Sequence, residues 1–225
     1  MKVTWIGQAG FLFETDGLTV MADPYLSNSC QSLNPESYRR YPVDESVFDV
    51  KPDVIILTHD HLDHTDPETL DHFLKGTSGV TVLASGNAWK RVKAYGRAHE
   101  YVLFDRGAEF TVKGVTFRAV YACHSDERAV GVIFRADGKT CYLTGDTLYH
   151  NDIFKEITEP VDALFLPING KGNNMNAFDA DRFATRIAPG KTIPCHFGLF
   201  DEIDPAAVLH RSDLVIPKPF CEVKL

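Results

Sequence analysis

Ile56-Leu57-Thr58-His59-Asp60-His61-Leu62-Asp63-His64 decides the fold: three histidines and two aspartates occupy six consecutive positions directly behind an apolar run. The leader Asp53-Val54-Ile55-Ile56-Leu57 reads as a strand buried on both faces, because such strands are continuous in apolar residues rather than alternating. In an extended segment His59 and His61 project to one side, and Asp63 and His64 fall where the chain turns into its next element. Imidazole and carboxylate together suit Zn, Mn or Fe better than Ca or Mg, and so many polar groups behind a buried strand need partners. The stretch is therefore read as a metal-ligand loop. The bland alternative is a surface turn rich in histidine.

Immediately downstream, Asp66-Pro67-Glu68 reads as the N-cap, first residue and acidic first turn of a helix. Leu70, Phe73 and Leu74 follow at helical spacing, and Gly76 stops it. Upstream, residues 2–23 read as three short strands, Val3-Thr4-Trp5-Ile6, Phe11-Leu12-Phe13-Glu14 and Leu18-Thr19-Val20-Met21, with an Asp16-Gly17 hairpin turn between the last two. The third runs into Asp23-Pro24-Tyr25, where Asp23 is either a turn-forming residue or a support for a metal ligand. Residues 25–50 have little periodicity and form a long irregular connection, the kind that serves as a lid or substrate loop. Within it, Arg39 and Arg40 lie among aromatic residues, an arrangement that suits a phosphate or carboxylate and equally a solvated charge pair.

Beyond residue 80 the pattern alternates strand and helix to residue 104, changes to hairpins from 109, and returns to alternation from 149, with helices expected over 149–157, 178–187 and 205–210. Three further polar residues each end an apolar strand: His124 after Val120-Tyr121-Ala122-Cys123, Asp146 after Tyr142-Leu143-Thr144-Gly145, and His196 after Ile193-Pro194-Cys195. Singly, each has a structural explanation. Together with the opening loop they make a constellation. His72, His99, His150 and His210 fall on expected helices or loop tips and are read as surface residues, with His150, four residues after Asp146, kept in reserve as a ligand.

The 225 residues are read as one domain, 1–225, built as two β-rich halves. A formal net charge of −8 without a Lys/Arg-rich tract argues against nucleic-acid and anionic-membrane partners, while small anionic substrates need only one or two cations in a pocket. No run of eighteen apolar residues appears and the N-terminus goes straight into a strand pattern, so a cytoplasmic protein is expected. Five cysteines without CxxC spacing speak against a disulfide framework and a Cys-type zinc site. Cys195 beside His196 is read as core rather than nucleophile, because strand neighbours face opposite ways. Homo-oligomer formation is left open.

The HxHxDH element at 59–64, the lone His124, Gly145-Asp146-Thr147 and the late His196 resemble, in order and gaps, the signature of the metallo-β-lactamase superfamily. That resemblance implies a four-layer αββα sandwich, an α/β (α+β) fold with one or two divalent metals, Zn or Mn, at one edge between the sheets. It implies that His59, His61 and His124 hold one metal, that Asp63, His64 and His196 hold the other, that Asp146 bridges, and that Asp23 supports the ligand loop. Asp23-Pro24-Tyr25-Leu26-Ser27, the Arg39-Arg40 segment, Leu166-Pro167-Ile168-Asn169-Gly170 and Asn174-Met175-Asn176 further resemble the ascorbate-6-phosphate lactonase branch. Lys171, Asn173 and Asn176 then join Arg39 and Arg40 as candidate substrate contacts.

The chemistry expected is hydrolysis of a small anionic, phosphorylated or otherwise charged, lactone or ester by a metal-activated hydroxide, with Asp63 and Asp146 as catalytic carboxylates. A phosphodiesterase on the same site is the rival enzyme reading. A metal-binding protein that kept the fold and lost the chemistry is the non-catalytic one, and it predicts a broken ligand set. The di-iron oxygen or nitric oxide reductases of the superfamily carry Glu where this chain has His61.

Overall fold

The computed structural model describes residues 1–15 and 17–225. The first half contains β1 (Lys2–Gly7), β2 (Gly10–Thr15), β3 (Leu18–Ala22), β4 (Val54–Leu57), α1 (Pro67–Leu74), β5 (Thr81–Ala84), α2 (Gly86–Val92) and β6 (Glu100–Leu103). The second contains β7 (Glu109–Val112), β8 (Val115–Tyr121), β9 (Val130–Ala136), β10 (Lys139–Leu143), β11 (Ala163–Pro167), α3 (Ala177–Ile187), β12 (Lys191–Cys195), α4 (Pro205–Val208) and β13 (Glu222–Val223). Two sheets result, one ordered β13-β1-β2-β3-β4-β5-β6 and the other β12-β11-β10-β9-β8-β7. The Asp16-Gly17 turn falls on Asp16, outside the described residues, and β2 and β3 pair antiparallel around it.

Each half begins antiparallel and becomes parallel. In the first sheet β3, β4, β5 and β6 run parallel, and in the second β10, β11 and β12 do. Parallel strands need crossovers, and the crossover after β4 supplies both the histidine loop and α1. Ligand-bearing loops thereby gather at the carboxyl ends of β3, β4, β10, β11 and β12, the side on which open α/β sheets bind ligands.

The sheets pack face to face through aromatic side chains that alternate inward along β1, β2, β9 and β11. Phe13 meets Phe134 edge-on at 5.1 Å between centroids, and Phe11 meets Phe165 at 4.7 Å. On the outer face of the first sheet, Ile6, Leu12, Met21, Ile55, Leu57 and Val82 pack under α1 and α2. On the second, Phe183 of α3 lies against Tyr142 and Phe154. The layers are helix, sheet, sheet, helix, the αββα sandwich that the signature implied.

Two expectations need correction. Over 149–157 only one short turn forms, Ile153–Lys155, because the rings of Tyr149 and Phe154 dock on Phe183 and Arg186 Nη1 reaches Asn151 Oδ1, contacts that hold the segment irregular. His99 is buried rather than on the surface: its Nδ1 accepts from Val80 N and its Nε2 lies 2.9 Å from Leu74 O. No helix among the described residues is long and apolar enough to cross a membrane.

Candidate metal centre

The loop after β4 is a turn, not an extended segment. His64 N and Thr65 N both donate to His61 O, Thr65 Oγ1 donates to His59 O, and the buried Asp66 caps α1 by accepting from Glu68 N and Thr69 N. His59 and His61 therefore meet because the chain folds back, not by strand parity. Their ring centroids are 4.6 Å apart, and each ring lies within 5 Å of His124, at 4.5 and 4.8 Å.

His124 arrives from the end of β8, His196 from the end of β12, and Asp146 from the turn after β10. That turn requires Gly145. Its φ is +60°, and a Cβ there would lie 2.8 Å from Val130 O and 3.1 Å from Thr58 Cβ, so only glycine lets Asp146 come down beside the histidine loop. Asp146 then stands between the groups, with Oδ1 3.3 Å from His64 Nε2 and Oδ2 3.2 Å from His196 Nε2. Asp63 Oδ2 is 3.1 Å from His196 Nε2. The candidate ligand atoms fall into three overlapping sets, His59-His61-His124, His59-His64-Asp146 and Asp63-His64-His196, within each of which all lie inside 4.8 Å.

Behind these groups sits Asp23, at the end of β3. Its carboxylate accepts from Thr58 N at 2.8 Å and Thr58 Oγ1 at 2.6 Å, and its Oδ2 lies 2.9 Å from His64 Nδ1. That contact turns His64 Nε2 toward Asp146. Asn174 holds Asp146 from the other side: its Oδ1 accepts from Thr147 N, which fixes the amide so that Nδ2 donates to Asp146 Oδ2 at 2.7 Å.

The electrostatics favour a cation. Burial, with neighbouring imidazoles, pushes His59 well below the ordinary histidine range, and burial lowers His124 as well, which leaves both neutral with lone pairs to donate. At His64 and His196 burial works the same way, but the carboxylates of Asp146 and its neighbours outweigh it; His64 is held well above the ordinary value and His196 is raised to about 10. Two buried carboxylates, Asp23 and Asp146, and the half-buried Asp63 thus demand positive charge from their surroundings. His59 Nε2, His64 Nε2 and Asp146 Oδ1 are also buried without a hydrogen-bond partner among the described residues. Unpaired buried nitrogens and a carboxylate oxygen, all converging, fit divalent cations by geometry and by donor type.

A family model described as a beta-lactamase superfamily domain matches residues 2–196. The chain belongs to the metallo-β-lactamase superfamily. Among its relatives, a UPF0173 metal-dependent hydrolase of Staphylococcus saprophyticus is 32% identical over 221 residues, covering 91% of this chain and 89% of that one. The superfamily fold is also seen in the crystal structure of an isothiocyanate hydrolase from Delia radicum gut bacteria, at a TM-score of 0.78 and 18% identity, covering 100% of this chain and 99% of that one. A metallo hydrolase of Ignicoccus hospitalis gives 0.75 and 20%, with 99% and 97% covered.

In this superfamily member a cavity of about 540 Å³ opens on His61, Asp63, Asp146 and His196. Three loops wall it: Leu33, Asn34, Glu36 and Ser37 on one side, Asn169, Lys171 and Gly172 on another, Phe200 and Asp201 on a third. Of the five substrate candidates from sequence, only Lys171 lines it. Arg39 is packed between the rings of Tyr25 and Tyr41, with Nη1 donating to Tyr25 O at 2.7 Å, so its charge secures the loop from within. Arg40 pairs with Glu202 at 3.2 Å on the surface. Asn173 lends its backbone oxygen to the neighbourhood of His124 Nδ1, at 3.3 Å, and Asn176 caps α3 by accepting from Asp179 N. The asparagine that reaches the centre is Asn174, which is not among those five candidates. Gln8 and Asn169 also reach it without being among the sequence candidates: Asn169 Nδ2 lies 3.0 Å from His196 Nδ1, and Gln8 Nε2 donates to Asp63 Oδ2 at 2.7 Å. Both follow apolar strands, the very signal that singled out His124, Asp146 and His196.

Proposed function

We propose that this protein is a metal-dependent hydrolase of a small anionic lactone or ester. The observation that carries the reading is the cavity: it is of small-ligand size, it opens directly onto the carboxylates and imidazoles of the centre, and Lys171 is the one Lys or Arg among the described residues that line it. Glu36 and Asp201 also line it, so the anionic end of a substrate would be held at Lys171 and away from their carboxylates.

His59, His61 and His124 would hold one divalent cation and Asp63, His64 and His196 a second, with Asp146 between them; Zn and Mn both suit these donors. When bound, such cations supply Lewis acidity, lowering the pKa of water from 15.7 to roughly 7 and polarising a carbonyl or phosphoryl oxygen. The chain's own groups do the rest. Lys171 pairs with the anionic end of the substrate and so holds it in the cavity in ground state and transition state alike. Asp146 has Oδ2 tied by Asn174 and Oδ1 3.3 Å from His64 Nε2; so held, its carboxylate lines the cavity and is placed to take the proton of the attacking water and return it to the leaving oxygen. Asp63, fixed by Gln8, keeps its charge toward the same space.

The test has two steps. Metal analysis of the purified protein, then reconstitution with Zn or Mn, should give about two equivalents and restore activity removed by chelation. A panel of phosphorylated and carboxylated lactones, run against bis-(p-nitrophenyl) phosphate, then assigns the class. Turnover of the diester alone makes the protein a phosphodiesterase. Metal uptake without turnover of either class makes it a binding protein.

A further inference from the structure

Gln8 stands at the tip between β1 and β2, almost fully buried, with φ +51°, in the left-handed region that a non-glycine residue occupies only at a cost. Glycine is available on either side, at Gly7 and Gly10, yet the residue carrying the strained conformation keeps a long polar side chain. Two hydrogen bonds into its carbonyl hold the backbone there: Trp5 Nε1 donates at 3.0 Å and the His196 N–H at 2.8 Å. His196 itself has φ +56°. Two strained residues, one from each sheet, are thus latched to each other through the backbone.

The side chain uses this placement. Its amide nitrogen donates to Asp63 Oδ2 at 2.7 Å and lies 3.2 Å from each ring nitrogen of His196. Asp63 hangs from the loop after β4 in the first sheet and His196 from β12 in the second, so Gln8 touches the two groups that must be brought together from opposite sheets. A neutral N–H orients a carboxylate without cancelling its charge, whereas Lys or Arg there would compete with a cation for it.

We propose that Gln8 is a positioning residue for the Asp63-His64-His196 part of the centre, setting the affinity of that part for a divalent cation and leaving the His59-His61-His124 part untouched. The inference rests on reading the cluster as a two-cation centre. Asn169, at the far side of the His196 ring, steadies Nδ1, but it has no contact with Asp63; Gln8 acts on both groups at once.

The experiment compares wild type with Gln8→Met, which keeps length and loses the amide, and Gln8→Asn, whose amide is one methylene short. Binding of Zn and of Mn is measured by chelator competition, and the Tm of each metal-free protein by circular dichroism. Both variants are expected to bind a first cation as wild type does and a second 10–100-fold more weakly, with metal-free Tm values within a few degrees of wild type. Two cations bound at wild-type affinities overturn the proposal. So does a parallel fall of both affinities with metal-free Tm, or failure of both variants to fold, since either makes the role structural. Wild type that takes up fewer than two cations overturns instead the two-cation reading beneath it.

Discussion

Asn174 Nδ2 donates to Asp146 Oδ2 at 2.7 Å, and the same amide accepts from the backbone N–H of Thr147, the residue next to Asp146. The amide therefore cannot flip without losing both bonds, and Oδ1 of Asp146 is left facing His64 Nε2 at 3.3 Å. Asn174→Ala is expected to lower turnover about 10–100-fold, the usual cost of removing a partner that orients a ligating carboxylate. Asn174→Asp, which sets a like charge against Asp146, should lose more. Steady-state kinetics with metal content measured in parallel checks both. An alanine variant within twofold of wild type rules the role out.

How much of this could be read beforehand differs from residue to residue. His59, His61, Asp63, His64, His124, Asp146 and His196 were legible because polar residues at the ends of apolar strands recur with a fixed order, and the structure brings all seven together. The helix expected over 149–157 was not, since its apolar spacing is satisfied by docking on Phe183 rather than by helix formation. Arg39 and Arg40 stay ambiguous in sequence for a physical reason. A guanidinium between aromatic rings is as well satisfied inside a loop as on a ligand, and nothing local in sequence says which. Among Asn173, Asn174 and Asn176 it is the folded turn, with Asn173 at φ +64°, that decides which side chain meets Asp146 and which caps α3.

Asp23 is buried, and its carboxylate joins Thr58 to His64. Asp23→Asn keeps the shape and the left-handed φ that asparagine tolerates, but removes the charge that faces His64 Nδ1. Metal affinity is expected to fall about 10–100-fold, with a stability loss of about 1–3 kcal/mol from weakening a buried charged acceptor. Chelator competition and urea denaturation measure the two separately. Unchanged affinity in the face of lost stability would confine Asp23 to holding the loop.

Lys171 is set apart from the two arginines by where each lies. Lys171→Met should raise KM for an anionic substrate about tenfold or more while kcat moves little, because the interaction is made in ground state and transition state alike. Arg40→Ala removes an exposed pair with Glu202 and a stack on Tyr38, both away from the cavity, so KM should stay put and stability should change by no more than about 1 kcal/mol. Arg39→Ala should destabilise without a specific KM effect, since it empties the space between Tyr25 and Tyr41. A KM rise in Arg40→Ala equal to that in Lys171→Met would return the anion to the longer loop.

Asp213 links the metal centre to acid stability through the strand that delivers His196. Its carboxylate accepts from Thr192 Oγ1 at 2.6 Å, on β12, and from Arg211 Nε at 3.0 Å, while Arg211 Nη1 also reaches Asp181 and Thr185 of α3. Burial acts to raise the Asp213 pKa, but the bonds from Thr192 and Arg211 outweigh it and hold the carboxyl below the ordinary value. With the folded pKa depressed, the unfolded chain binds the proton first as pH falls. The stabilisation is therefore full above about pH 4 and is lost as pH drops through the folded value. Asp213→Ala should cost about 1 kcal/mol at pH 7, a figure reduced for solvent screening of this partly exposed cluster, and the gap from wild type should close toward pH 3. Denaturant melts across that range test the sign directly. A gap that persists unchanged at pH 3 would mean that Asp213 acts by packing rather than by charge.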